Sequence, residues 1–410
     1  MYDVIVAGGG VVGATAAYLC ARGGLRTLLL DRVDTGRATD AGAGIIAPRT
    51  STRSEVLFEL GLRSGDFYPT LLGYLAEDGG GDTGYARCGD LRVAVTEDEL
   101  EHFGALVADP RRARARHGYP TAEDVREVSP DDARALFPCS LARSGRCTTG
   151  RRRAWTGGCS TRRCLMAAAQ RKVTLVGRGR IVCVVESGRV AGVAAGAEVH
   201  RAGHRHHRRR RMDPSASRAA RRLDRGRAAA RADHPSSGGG PRYRRLAGGA
   251  CLPRPLHRLV GRRPRRRPAP RGETGSGFDP RITAAGVHEV LGEALRVAPT
   301  SRGRACLETR VGLRPLSADG LPILGPVPGV AGAFVATGHG PSGLTLGPYS
   351  AALVTELVLG SCPALDLTPF RADRFTGARQ SAPPTTADRL PAGVSAKQEL
   401  ATLPELGESP

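Results

Sequence analysis

Residues 2–10 read YDVIVAGGG, a short apolar run rich in β-branched residues that stops at three glycines. The next stretch, VVGATAAYLCARGG, places apolar residues at helical spacing and ends at Gly23-Gly24, after which LRTLLLD returns to a continuous apolar run closed by Asp31. This alternation predicts strand, turn, helix and a second buried strand. Farther along, GDLRVAVTEDELEHF (89–103) predicts a strand followed by a helix, ITAAGVHEVLGEALRVAP (282–299) a helix, and YSAALVTELVLG (349–360) an apolar helix. The pattern breaks at HRHHRRRRMDP (204–214), which has no apolar period of either kind.

Charge follows the same break. The chain has 410 residues, room for two domains or one large one. Of its net charge of +22, the stretch Arg201 to Arg271 carries +20, from 23 Arg, no Lys and three Asp. A second stretch, Cys139 to Arg163, holds seven Arg and no acid. Basicity therefore belongs to two segments and not to the whole fold. Only Lys172 and Lys397 are lysines, a bias that points to a gene rich in G and C.

Six of the ten Cys fall between 139 and 251, with no CxxC pair and no Cys/His spacing suited to a metal. No metal site and no disulfide framework are expected. The first residues lack the basic start and cleavage site of a signal peptide, and no run of 18 apolar residues exists, so a cytoplasmic protein without a membrane span is expected. No internal repeat is present.

Gly8, Gly10 and Gly13 form GxGxxG between the two predicted strands. The first glycine allows a tight turn, the second lets backbone approach a pyrophosphate, and the third lets helix and strand pack closely. Phosphates would sit on the helix N-terminus, where free N–H groups and the dipole favour anions. Asp31, 18 residues after Gly13, is placed to accept ribose hydroxyls. These residues alone leave the dinucleotide open. RATDAGAGIIAP (37–48), small residues after the second strand, suits backbone passing close to a flat ring system and its ribityl phosphate, which favours FAD over NAD.

Residues 308–325 read ETRVGLRPLSADGLPILG, 335–348 read VATGHGPSGLTLGP, and 369–375 read PFRADRF. Together with GGGVVG, Asp31 and ATDAGAGI, in this order, the chain resembles the FAD-dependent D-amino acid oxidase family, which includes glycine oxidase, sarcosine oxidase and D-amino acid dehydrogenase. The resemblance implies FAD contacts from Val11 and Val12, from Asp31 and Arg32, from Ala38 and Thr39, and from Ala43, Gly44 and Ile45. It implies that His339, Gly340, Pro341, Ser342, Gly343, Leu344 and Thr345 form a turn beneath the flavin's pyrimidine end. There N–H groups and the helix dipole would stabilise charge on the reduced ring. Arg314 of GLRP resembles the family's substrate-carboxylate residue, a role that suits a planar guanidinium; a structural ion pair is the other reading. His339 is expected to be structural or flavin-facing rather than a base. Glycine oxidases resemble GHxRNG where this chain has Pro341-Ser342, so strict glycine specificity does not carry over.

The family expects, near residue 205, a buried strand ending in small residues and Trp. If Arg is encoded by CGN, a shift of one base turns each His-Arg or His-His junction into Thr or Ile and each Arg-Arg junction into Val, Ala, Gly or Asp. Met212-Asp213 becomes TGG, so Trp is forced. TVITAAGAWT fits every position of 204–213. RAWTGGCSTRRC (153–164), read in the remaining frame, forces Asp at the Trp155-Thr156 junction and permits VDGRLLDAAL, similar to the family's helix start. Residues of about 139–165 and 200–271 are therefore read as out-of-frame translations.

The implied fold is α/β, a Rossmann-like FAD-binding domain with a discontinuous α+β substrate domain. The FAD domain would comprise 1–80, 140–212 and 310–375, and the substrate domain 81–139 and 213–309, with 376–410 a disordered tail. The implied activity is oxidation of the C–N bond of an amino acid or secondary amine, by hydride transfer to flavin N5. Two alternatives stand beside it: a catalytically dead frameshifted product, insoluble or unable to bind FAD, and a basic polyanion or nucleic-acid binder through 201–271. The basic segment has one aromatic, Tyr243, so it lacks a base-stacking platform, and no specific nucleic-acid partner is expected.

Overall fold

A short apolar strand, β1 (Val4–Ala7), enters a glycine turn and continues as α1 (Val11–Arg22), which stops at Gly23 and leads to β2 (Thr27–Asp31). The two strands pair in parallel, Val4 opposite Thr27 and Ala7 opposite Leu30. This is the strand, helix, strand order that the apolar pattern predicts. The computed structural model describes residues 1–47, 54–87, 90–101, 125–138, 144–148, 153–154, 157–177, 181–202 and 278–375. The expected tail, 376–410, and the basic segment 201–271 from residue 203 onward lie outside them.

After β2 come β3 (Ile45–Ile46), the long helix α2 (Glu55–Glu77), β4 (Ala86–Arg87), β5 (Asp90–Ala94) and α3 (Glu97–Glu101). Then follow β6 (Val125–Val128), α4 (Pro130–Leu136), β7 (Ser144–Thr148), β8 (Arg153–Ala154) and α5 (Gly157–Gln170). Strand β9 (Thr174–Gly177) pairs with β2 in parallel, giving a sheet in the order β1, β2, β9. Strands β10 (Ile181–Glu186), β11 (Arg189–Ala195) and β12 (Glu198–Arg201) form an antiparallel meander. Helix α6 (Ala284–Val297) is followed by the hairpin β13 (Ile323–Pro326) and β14 (Phe334–Thr337), and by α7 (Gly343–Val358).

Helix α1 is the centre of the core. It packs against α7 and α5, and α2 packs against α7. Tyr18, Leu60, Tyr68, Leu71, Leu75, Leu346 and Leu353 are buried in one cluster, and the Phe67 and Tyr349 rings meet at 5.5 Å between centroids. The predicted helix 349–360 begins six residues earlier, at Gly343, and carries Pro348 inside it. A proline cannot donate to the carbonyl four residues back, and here that carbonyl, Leu344 O, accepts a hydrogen bond from the Tyr68 hydroxyl instead.

At the C-terminus of α2, Asp78 gathers three donors from two segments: Tyr18 Oη at 2.6 Å and Arg22 at 2.7 Å from α1, and Arg171 at 2.5 Å from the end of α5. Burial alone would raise its pKa, but the hydrogen bonds from Arg171, Tyr18 and Arg22 outweigh it and hold the carboxyl down at about 2. Among the described residues, no helix is long and apolar enough to cross a membrane.

Candidate cofactor and substrate site

The turn after β1 shows why its residues are glycines. Gly8 has φ of +104°, and a Cβ on Gly13 would lie 1.8 Å from Gly8 O, so only glycine lets α1 start this close to β1. A Cβ on Gly9 would lie 2.5 Å from Asp31 Oδ2, which puts the end of β2 against the turn. Thr39 Oγ1 accepts from the Val11 N–H at 3.1 Å, tying the small-residue loop to the first turn of α1. The spaced motifs 8–13, Asp31 and 38–39 are therefore one surface.

Asp31 accepts from Arg37 Nη1 at 2.6 Å and from the Val33 N–H at 3.3 Å. Arg37 also reaches Asp40, with Nε to Oδ2 at 2.8 Å. Two partners leave lone pairs on both Asp31 oxygens for a ribose diol. Arg32, by contrast, pairs with Asp34, and its side chain is half exposed. The structure does not join it to the other motifs.

The C-terminal motif closes on the same loop. Leu313 N–H donates to Gly36 O at 2.9 Å, and a parallel bridge joins Arg37 to Leu313. Gly312 fits beneath the loop because it lacks a side chain: a Cβ there would be 2.7 Å from Ala41 Cβ and 3.1 Å from Ala38 Cα. On its other side the segment is held by Gly340 N–H donating to Pro315 O at 2.8 Å and by an antiparallel bridge between Leu316 and His339. Arg314 thus sits between two backbone anchors, one on the loop 36–41 and one on the turn after β14. Its side chain is exposed and makes no ion pair among the described residues.

Gly340–Ser342, including Pro341, forms a single tight turn, and α7 starts at Gly343. Thr345 Oγ1 accepts from Ala47 N–H at 3.0 Å, just past Ala43, Gly44 and Ile45, while a Cβ on Gly42 would meet Leu344 Cδ1 at 2.8 Å. Gly347 in turn gives room to Val12 Cγ2, which a Cβ would approach to 2.9 Å. His339 is 5% exposed, its Nε2 is buried without a hydrogen-bond partner, and burial pushes its pKa down to about 4, so the ring is neutral near pH 7. The glycine cradle at 8–13, the carboxylate of Asp31 and this orphaned ring nitrogen are a set that fits a dinucleotide carrying a flat ring. Arg37 and Gly312 were not singled out by sequence reasoning. Arg37 lies six residues after Asp31, within reach of it across one turn, and this spacing was the signal available.

Comparison with known proteins agrees with the geometry. Residues 3–357 match the DAO family, described as FAD dependent oxidoreductase. The chain is 32% identical over 409 residues to the uncharacterized oxidoreductase YurR of Bacillus subtilis (strain 168), covering 90% of this chain and 98% of that one. It is 27% identical to glycine oxidase of Geobacillus kaustophilus (strain HTA426), covering 92% and 98% respectively. Among solved structures, iminodiacetate oxidase from Chelativorans sp. BNC1 is similar, with a TM-score of 0.67 and 25% identity over 90% of this chain and 98% of that one. With glycine turn, carboxylate, small-residue loop and C-terminal turn on one surface, and with the match running through nearly all of the chain outside its tail, the protein belongs to the DAO family of FAD-dependent oxidoreductases.

Proposed function

We propose that the protein oxidises the C–N bond of a small amino acid or secondary amine that carries a carboxylate. The observation that carries this reading is Arg314, an exposed guanidinium held by backbone anchors on both sides, with no carboxylate partner among the described residues. A planar fork fixed in this way suits bidentate pairing with a substrate carboxylate. Because the same anchors run to the cofactor loop and to His339, the substrate would be held against the flavin edge, and orientation of the reacting carbon is the protein's main contribution.

In this reading Gly8, Gly10, Val11, Val12 and Gly13 would hold the diphosphate, Asp31 the adenosine ribose, and the loop through Ala38, Thr39 and Ala43–Ile45 the flavin. The N-terminus of α7, from Gly343 to Thr345, would offer its N–H groups and dipole to the negative charge of the reduced ring. Bound FAD supplies the two-electron acceptor that takes a hydride from the substrate carbon. The substrate is left as an imine, and water converts it to a 2-oxo acid with release of ammonia or an amine. A substrate that arrives with a neutral amine needs no protein base, and His339, whose pKa burial pushes down to about 4, is a weak one.

Similarity to glycine oxidase and iminodiacetate oxidase supports small, carboxylate-bearing amines as the class. Pro341-Ser342 adds no second cation to the turn, so more than one such substrate is expected to be accepted. The test is anaerobic bleaching of the flavin absorbance by glycine, sarcosine, iminodiacetate and D-amino acids, each against its decarboxylated amine. Equal bleaching by the amine lacking a carboxylate sinks the assignment of Arg314.

A further inference from the structure

The peptide that joins Leu344 to Thr345 is gripped from several elements at once. Its carbonyl, Leu344 O, accepts the Tyr68 hydroxyl from α2. The side chains on either side of it meet the small-residue loop: Thr345 Oγ1 accepts from Ala47 N–H at 3.0 Å, and a Cβ on Gly42 would come within 2.8 Å of Leu344 Cδ1. Tyr68 is fully buried, and its ring stacks on Tyr85 at 6.0 Å between centroids and 17° between planes. The clamped ring holds its hydroxyl at that carbonyl.

The carbonyl needs a donor from outside its own helix. In a regular α-helix it would accept from the N–H four residues on, but that residue is Pro348, which has none. A peptide is planar, so the Leu344 carbonyl and the Thr345 N–H are opposite ends of one dipole. Thr345 is the third residue of α7, where the N–H groups of an α-helix lack an intrahelical partner. Hydrogen bonds in a chain polarise one another, so a bond accepted at the carbonyl makes the N–H end more positive. The Tyr68 hydroxyl and the open end of α7 are thus joined through a single polarised group.

We propose that Tyr68 is a positioning residue for flavin reduction: by hydrogen-bonding Leu344 O, it orients and polarises the peptide whose Thr345 N–H would meet the negative charge of the reduced ring. The inference rests on the role proposed above for the N-terminus of α7. The charge to be met develops only on reduction, so the effect falls mainly on one redox state, as with any donor aimed at charge that is still to form. Tyr68 thereby tunes how strongly the protein prefers reduced over oxidised FAD. Pro348 is the other half of the device, because its missing N–H hands the carbonyl to α2.

The full-length chain is compared with Tyr68→Phe, Pro348→Ala and the double variant, each loaded with FAD, by dye-coupled redox titration and by titration with oxidised FAD. Tyr68→Phe is expected to lower the preference for reduced FAD about 5-fold, the scale of one neutral hydrogen bond felt in one redox state. The Kd for oxidised FAD should move by less than about 2-fold, on the same ground. Pro348→Ala offers Leu344 O a backbone N–H, so in the double variant the preference should return to that of the parent chain. A purely structural role would weaken both redox states alike and would not be rescued through the backbone. An unchanged preference in Tyr68→Phe overturns the proposal, and so does a shift that Pro348→Ala fails to restore. Should Tyr68→Phe alone hold no FAD, the double variant decides: the parent's preference regained supports the proposal, and a chain equally defective overturns it. A parent chain that takes up no FAD overturns it as well. No substrate is added, so failure of the assignment of Arg314 and failure of this one are read separately.

Discussion

Arg37 joins the two halves of the site: its guanidinium donates to Asp31 at 2.6 Å, and its backbone bridges to Leu313, the residue before Arg314. In the proposed reading, the side chain would serve the carboxylate that holds the cofactor while the main chain would serve the substrate segment. Arg37→Ala and Asp31→Asn are each expected to weaken FAD binding by about 1–2 kcal/mol, the scale of one charge-assisted hydrogen bond. Because Arg37 acts through Asp31, the double variant should lose little more than Asp31→Asn alone. Fluorescence titration with FAD and with FMN, which has no adenosine ribose, checks this: the FMN affinities should stay unchanged.

Arg314→Lys keeps the charge and loses the fork. KM for a carboxylate substrate is expected to rise about 10-fold, and about 100-fold for Arg314→Ala, as one and then both bonds of a bidentate pair are lost. FAD affinity should not move in either variant. Steady-state kinetics beside FAD titration separate these effects.

Gly13→Ala should abolish FAD binding. Its Cβ would fall 1.8 Å from Gly8 O, so either the turn or the start of α1 must shift. Retained flavin absorbance in a purified Gly13→Ala chain would contradict the close approach described above.

Acid should destabilise the fold in two windows. His339 is held by burial at about 4, below its ordinary value, so the stability of its neutral form is complete above about pH 6.5 and is lost as pH falls toward 4. Asp78 is held at about 2 by Arg171, Tyr18 and Arg22 against its burial, so its contribution is complete above about pH 4 and is lost as pH falls toward 2. Thermal melts from pH 7 to pH 2 should show both losses. Asp78→Asn should remove the lower one and cost about 2–3 kcal/mol at pH 7, because Arg22 and Arg171 lose their shared anion.

Local pattern made β1, α1 and β2 legible, since glycine spacing and apolar period act within thirty residues. Strand β5 with α3, and helix α6, were legible for the same reason. The start of α7 was not. Pro348 reads as a helix breaker until Tyr68, far away in sequence, is seen to take the carbonyl it leaves free. Pro69 and three glycines likewise hide α2 from propensity, and its tertiary packing overrides them. The predicted cofactor residues Thr39, Asp31 and Gly8–Gly13 are brought together, whereas Arg37 and Gly312 required knowledge of which loops touch. The charge anomaly at 204–213 was visible in composition, and those positions lie outside the described residues.

The Tyr68 hydroxyl that serves Leu344 also bears on the order of assembly. Helix α7 cannot complete its own hydrogen-bond ladder, so its first turns gain their last partner only when α2 arrives. The two helices are then expected to form in one kinetic event rather than in succession, with Tyr68→Phe raising the unfolding rate more than it slows folding if that contact closes late. A side chain on a distant helix would thereby set the lifetime of the turns that begin α7.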